Sequence, residues 1–211
     1  MKAMPALVFA MSIAASSAFA VPFGQWSEQT FPRLSANQWI QSANGVDVRS
    51  DMSVSLLWTR IEAADGSATR ASWSWSVSES VPATLLTRKG GDDRNLALYF
   101  VFMPPEQAEA SRNASVRKML RTREARVLMY VWGGDHARGD ILPSPYLGQR
   151  GKTIIRRPAG TGSHSETVDL EADFQRAFGG EKSVLVGMAV SSDSDDTRSS
   201  VRARLGGIRL E

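Results

Sequence analysis

From Ala71 to Val77 the chain reads Ala71-Ser72-Trp73-Ser74-Trp75-Ser76-Val77, a strict alternation of apolar and hydroxyl side chains. Successive side chains of a strand point to opposite faces, so Ala71, Trp73, Trp75 and Val77 share one face and the serines the other. That is the pattern of a strand with one buried side. Leu96–Phe102 is apolar on both faces and predicts a central strand covered on each side. Further strands are predicted over Val46–Arg49, Ser53–Ile61, Val127–Trp132, Lys152–Arg156, Glu166–Leu170, Val184–Ser191 and Val201–Leu210. Turn-forming clusters at Asp65-Gly66, Gly90-Gly91-Asp92 and Gly160-Thr161-Gly162 punctuate them.

Two stretches have helical character. Glu106–Arg126 follows Pro104-Pro105 and is rich in Ala, Arg and Glu, and Leu170–Phe178 runs into the stop signal Gly179-Gly180. Many short strands, few helices and no regular helix–strand alternation predict an all-β chain with one or two short helices, an antiparallel β-sandwich of jelly-roll type.

The first twenty of the 211 residues read as an export signal. Lys2 supplies the positive start, Ala6–Ala15 the apolar run, and Ala18-Phe19-Ala20 the small residues of a cleavage site before Val21. The run is too short to span a bilayer, which takes roughly twenty apolar residues. Residues 21–211 then form one domain, with a periplasmic destination expected and extracellular release as the alternative. The chain has no cysteine, which excludes disulfides, thiol redox chemistry and thiolate metal sites. A net charge of +3 is a small surplus on a nearly balanced surface and does not call for nucleic acid. The densest basic run, Arg112, Arg117, Lys118, Arg121, Arg123 and Arg126, has no interleaved aromatics and reads as a solvated connector face.

Candidate site residues lie at the ends of apolar strands. Trp73 and Trp75 share a face and would suit a sugar platform, but Ala71 and Val77 extend that face, which favours core packing. Asp92-Asp93 puts two carboxylates at a turn leading into the most apolar strand. Asp193-Ser194-Asp195-Asp196 follows another apolar strand, and an Asp-x-Asp loop presents oxygens suited to a hard cation such as calcium, with Asp193 and Asp195 as the candidate ligands. Thr197 and Arg198 stand where an EF-hand has an oxygen ligand and its turn glycine, so it is not that motif. Tyr130-Val131-Trp132 ends a strand and opens into a loop carrying Asp135, His136 and Tyr146, the most site-like region of the chain. Tyr130, Trp132 and Tyr146 are candidate contact residues, together with Asp92 and Asp93. The alternative for the aromatics is a plug at the end of the core.

Catalytic signatures are scarce. His136 and His164 lie in separate polar loops, and the chain has no Gly-x-Ser-x-Gly elbow, His-Glu-x-x-His, P-loop or dinucleotide fingerprint. Two carboxylates suffice for glycoside hydrolysis, with Asp92 or Asp93 and Asp193 or Asp195 as the pair in question.

Taken in order, Trp73-Ser74-Trp75, Gly91-Asp92-Asp93, Leu96–Phe102, Tyr130-Val131-Trp132, Ala172-Asp173-Phe174, Phe178-Gly179 and Asp193-Ser194-Asp195 resemble the bacterial secreted family known as domain of unknown function 3047. The resemblance spans Ser53–Leu210 and implies a single β-sandwich similar to carbohydrate-binding jelly rolls, with no established activity. The expectation is a non-catalytic periplasmic module that binds a glycan or another cell-envelope component. A polysaccharide hydrolase or lyase with paired aspartates is the alternative, and an envelope assembly partner the third reading. Acids gathered in one cleft would favour the enzyme, and acids dispersed around a flat aromatic patch would favour binding.

Overall fold

The computed structural model describes residues 18–111, 114 and 116–211. Most of the expected export signal, and Arg112 of the basic run, lie outside the described residues. The strands are β1 (Phe19–Ala20), β2 (Ser27–Thr30), β3 (Gln38–Ser42), β4 (Gly45–Asp51), β5 (Val54–Arg60), β6 (Arg70–Glu79) and β7 (Arg94–Met103). They continue as β8 (Arg126–Trp132), β9 (Ile141–Ser144), β10 (Gly148–Arg157), β11 (Gly162–Asp169), β12 (Val184–Asp193) and β13 (Ser200–Leu210). Two sheets pack face to face in the predicted sandwich. One has the order β11-β6-β13-β4-β3, with β1 added on β13, and the larger has the order β2-β5-β12-β7-β8-β10-β9. Pairing is antiparallel throughout except between β8 and β10, which run parallel.

Alternation decides which side chains meet between the sheets. On β6, Trp73 and Trp75 point inward and are each 2 % exposed, so core packing holds. They meet the even-numbered residues of β7 and β8: Trp73 lies against Phe100 and Tyr130, and Trp75 against Trp132. Each of these rings contributes about 1.5 to 3 kcal/mol by leaving water.

One end of the sandwich is closed by a buried ionic cluster. Glu166, inward-facing on the edge strand β11, accepts from Arg156 at 2.7 Å and from Arg157 at 2.8 Å, both on β10 of the opposite sheet. The exposed Arg138 adds a third contact at 3.3 Å. Burial works against the charge on Glu166, but the two β10 arginines outweigh it and hold the carboxyl below its ordinary range.

The predicted helix over Glu106–Arg126 is not continuous. It appears as α1 (Pro105–Ala110) and α2 (Val116–Arg121), while α3 (Leu170–Phe178) has the predicted bounds. At its start the Asp169 side chain accepts from the Ala172 amide at 2.9 Å, and at its end Gly179 takes φ +75°, a left-handed conformation that glycine accommodates without strain. Lys118, Arg121 and Arg123 are exposed, as a solvated connector would be. Strands β2, β3 and β9 were not predicted; they are short, polar or proline-bearing, and β2, β3 and β9 lie at sheet edges. No described helix is long and apolar enough to cross a membrane.

Candidate ligand cleft

The faces of β7 and β8 that do not meet the core look outward from the larger sheet. Residues there form the floor of a cleft of about 530 Å³: Ser191 of β12 lies opposite Leu56 of β5, Met129 of β8 lies between Tyr99 of β7 and Thr153 of β10, and the Tyr99 hydroxyl reaches diagonally to Ser191 Oγ at 2.9 Å. Four inter-strand steps of about 4.8 Å make the floor roughly 19 Å across from β5 to β10. Phe31 and Leu34, from the loop after β2, stand partly exposed on one wall. Tyr146, from the turn between β9 and β10, stands 60 % exposed on the other.

One end of the cleft is strongly polar, and Arg94 organises it. Its Nη1 donates to the Asp92 carboxylate at 3.0 Å and to the Asp193 carboxylate at 3.3 Å. Its Nη2 donates to the Tyr99 hydroxyl at 3.0 Å and to Ser191 Oγ at 3.4 Å. Burial opposes the guanidinium charge, but Tyr99, Asp193 and Asp92 outweigh it and raise its pKa further, so Arg94 is a fixed cation. The long apolar strand delivers it: β7 begins at Arg94, directly after the Asp92-Asp93 turn. Gly133, after β8, lets the chain pass close by, since a Cβ there would fall 2.7 Å from Arg94 Cβ and 2.9 Å from its Cα.

The two acidic segments that the sequence singled out are brought together here. β7 and β12 are neighbours, and Asp193 lies opposite Arg94 in the register. Asp92 lines the cleft, accepting the Tyr146 hydroxyl at 3.0 Å. The Tyr146 hydroxyl is pushed up to about 12 by its partial burial and by the Asp92 charge and hydrogen bond. Asp93, wholly buried, accepts the Thr197 backbone amide at 2.7 Å and the Thr197 hydroxyl. Asp193 is 8 % exposed; its Oδ2 faces Arg94 while its buried Oδ1 has no hydrogen-bond partner. Burial pushes the Asp193 carboxyl up to about 9 against the pull of Arg94, and neighbouring Asp195 and Asp93 add to the rise. Asp196 is raised as well, by burial and by Asp195, Asp93 and Asp92. Arg198 is exposed at φ +51°, on the tight turn that returns the chain to β13.

Tyr130 and Trp132 do not belong to the cleft, and this corrects the expectation for both. They are 0 % and 1 % exposed and occupy inward positions of β8, so they supply core area and no contact surface. The plug reading applies: the Tyr130 hydroxyl donates to Asp173 of α3 at 2.8 Å, and His164 packs on the Trp132 ring. Arg94, Tyr99 and Ser191 are site residues that sequence reasoning missed. An arginine placed between an acid pair and an apolar strand was the available signal for the first. The acids are gathered in one cleft and are not dispersed around an aromatic patch.

A two-sheet jelly-roll sandwich with a cleft across the outer face of its larger sheet is the class of protein these features define. The chain belongs to the family described as "Protein of unknown function (DUF3047)", whose model matches residues 24–209. No curated protein matches the sequence. Several solved structures are similar in fold. The xyloglucanase domain of NopAA, a type three effector from Sinorhizobium fredii, in complex with cellobiose, aligns with TM-score 0.49 at 10% identity, covering 95% of this chain and 97% of that one. A Cel12A cellulase derived from that of Rhodothermus marinus gives TM-score 0.41 at 14% identity, covering 92% and 100%. The family 11 xylanase from Neocallimastix patriciarum gives 0.41 at 10% identity, covering 92% and 99%.

Proposed function

We propose that the protein binds a glycan chain along the cleft on the outer face of the larger sheet, as an exported component of a bacterial envelope. The observation that carries this reading is the composition of the cleft: the apolar side chains of Leu56, Leu86, Met129 and Val131 beside Tyr146, with acids and hydroxyls gathered at one end. Sugar chains present apolar ring faces and a fringe of hydroxyls, and such a surface meets both. Carboxylates at the polar end accept hydroxyl hydrogen bonds more strongly than neutral groups do. The volume falls within the range of small-ligand sites, about 300 to 1,000 Å³. Export through the signal ending at Ala20 would bring the protein to the compartment where such polymers are found.

A glycan array followed by titration of the best soluble oligosaccharide tests the reading. Binding should weaken about tenfold or more in Tyr146→Ala, and by more than the stability lost with its hydrogen bond to Asp92 accounts for, because that ring is largely exposed. Absence of binding to any glycan at millimolar concentration would overturn it.

A second reading, hydrolysis of the bound glycan, is favoured by one observation. Asp92 and Asp193 both reach one nitrogen of Arg94, which brings two carboxyls together inside the cleft. Glycosidases that retain configuration hold such a pair about 5 to 5.5 Å apart. Release of new reducing ends from a bound oligosaccharide, abolished in Asp92→Asn, would replace the binding reading with this one.

A further inference from the structure

We propose that Asp93, Asp193 and Asp195 form a calcium site that fastens the turn between β12 and β13 to the start of β7 at the polar end of the cleft. One carboxylate oxygen from each residue lies within 4.8 Å of the others. Two ligands on opposite sides of a calcium ion, each at about 2.4 Å, span that distance. Proximity alone would not identify a site, since acids cluster on many turns. The independent observation is Asp193 Oδ1, an oxygen shielded from solvent on a residue 8 % exposed, with no donor to satisfy it. A buried carboxyl oxygen that faces no donor is costly, and a cation, taking the place of the proton this acid otherwise retains, is a partner that the surrounding carboxyls leave room for.

Charge points the same way. Five carboxylates, from Asp92, Asp93, Asp193, Asp195 and Asp196, gather at this end of the cleft, and Arg94 is paired with only two of them. The donors are all hard oxygens, with no histidine or cysteine among them, which selects calcium over zinc and the softer metals. Asp93 is already fixed by Thr197 and Asp193 by Arg94, so two ligands stand in place before an ion arrives. Asp195, half-buried on the turn, is the ligand that an ion would draw in.

The site rests on the metal alone and does not depend on any glycan. The full chain is stripped with EGTA and titrated with calcium chloride by calorimetry, with magnesium chloride as the comparison, and melted in calcium and in EGTA. One calcium per chain is expected, with a higher melting temperature in calcium and at least tenfold weaker binding of magnesium. Asp195→Asn should weaken calcium binding tenfold or more while its melt in EGTA stays at or above that of the wild type, because a repelling charge has been removed. Asp193→Asn should do the same if it folds, and Asp195→Asn decides the matter if it does not. No calcium binding at millimolar concentration, equal affinity for magnesium, or calcium binding unchanged in Asp195→Asn would each overturn the proposal.

Discussion

The carboxylate of Asp93 receives both the backbone amide and the hydroxyl of Thr197, and so ties the entry of β7 to the turn leaving β12. The bonds are charge-assisted and buried, and hydrogen bonds to charged groups contribute about 1.5 to 3 kcal/mol each. Asp93→Ala should therefore destabilise the protein by about 3 kcal/mol, and Asp93→Asn, which keeps one acceptor, by about 1 kcal/mol. Urea midpoints check this. A change below 1 kcal/mol for the alanine variant would mean that other contacts hold the turn.

Trp75 and Ser74 stand on opposite faces of β6. Trp75→Ala should cost about 3 to 5 kcal/mol through lost burial and the cavity left between the sheets. Ser74→Ala, on the exposed face, should stay within about 0.5 kcal/mol. Denaturant midpoints ranking the two in the opposite order would contradict the inward placement of Trp75.

Acid should weaken the end of the sandwich that Glu166 closes. Its folded pKa is depressed, so its contribution is fully present above the unfolded value, about 4.3, and is lost as pH falls through the folded value. Glu166→Gln should flatten the acid limb of the stability–pH curve, and Glu166→Ala, which leaves Arg156 and Arg157 unpaired, should cost about 3 kcal/mol near neutrality. An acid limb of the same slope in wild type and Glu166→Gln would remove this carboxylate from the account.

Gly133→Ala should disturb the cleft from behind. The new methyl would press on Arg94 Cα and Cβ, and crowding of this kind costs about 1 to 3 kcal/mol. The variant is expected to bind ligand more weakly than its stability loss explains, because Arg94 positions Asp92, Tyr99 and Asp193. Affinity equal to wild type in the folded variant would show that Arg94 tolerates displacement.

Processing before Val21 should leave the fold intact. The Val21 side chain is buried and its amide donates to the Ile208 carbonyl at 3.0 Å, whereas Phe19 and Ala20 add only a two-residue pairing with β13. Intact mass of exported protein is expected to start at Val21, and retention of Met1–Ala20 would refute the export reading.

The sandwich was legible because β6, β12 and β13 carry their alternation or apolarity openly. β2, β3 and β9 were not, because edge strands bury little and so need no apolar pattern. Parity on β8 was hidden for a related reason. Val127, Met129 and Val131 are as apolar as Leu128, Tyr130 and Trp132, so nothing in the chain said which set faced the other sheet, and the two aromatics were placed in the site when they belong to the core. Asp92-Asp93 and Asp193-Asp195 could be marked as unusual, but their meeting depends on β7 and β12 being neighbours, a long-range pairing that no local pattern encodes. Tyr99 and Ser191 escaped notice because each is an ordinary strand residue until Arg94 is set between them.

Because the cleft lies on the outer face of the larger sheet, each of its strands carries two separate sets of positions. Tyr99, Met129, Thr153 and Ser191 look into the cleft, while their neighbours Phe100, Tyr130, Ile154 and Val190 fill the interior. Substitutions in the first set would reshape the cleft, and the apolar cluster around Met129, without touching the rings packed between the sheets. The cleft can thus be remodelled on a scaffold whose interior stays constant.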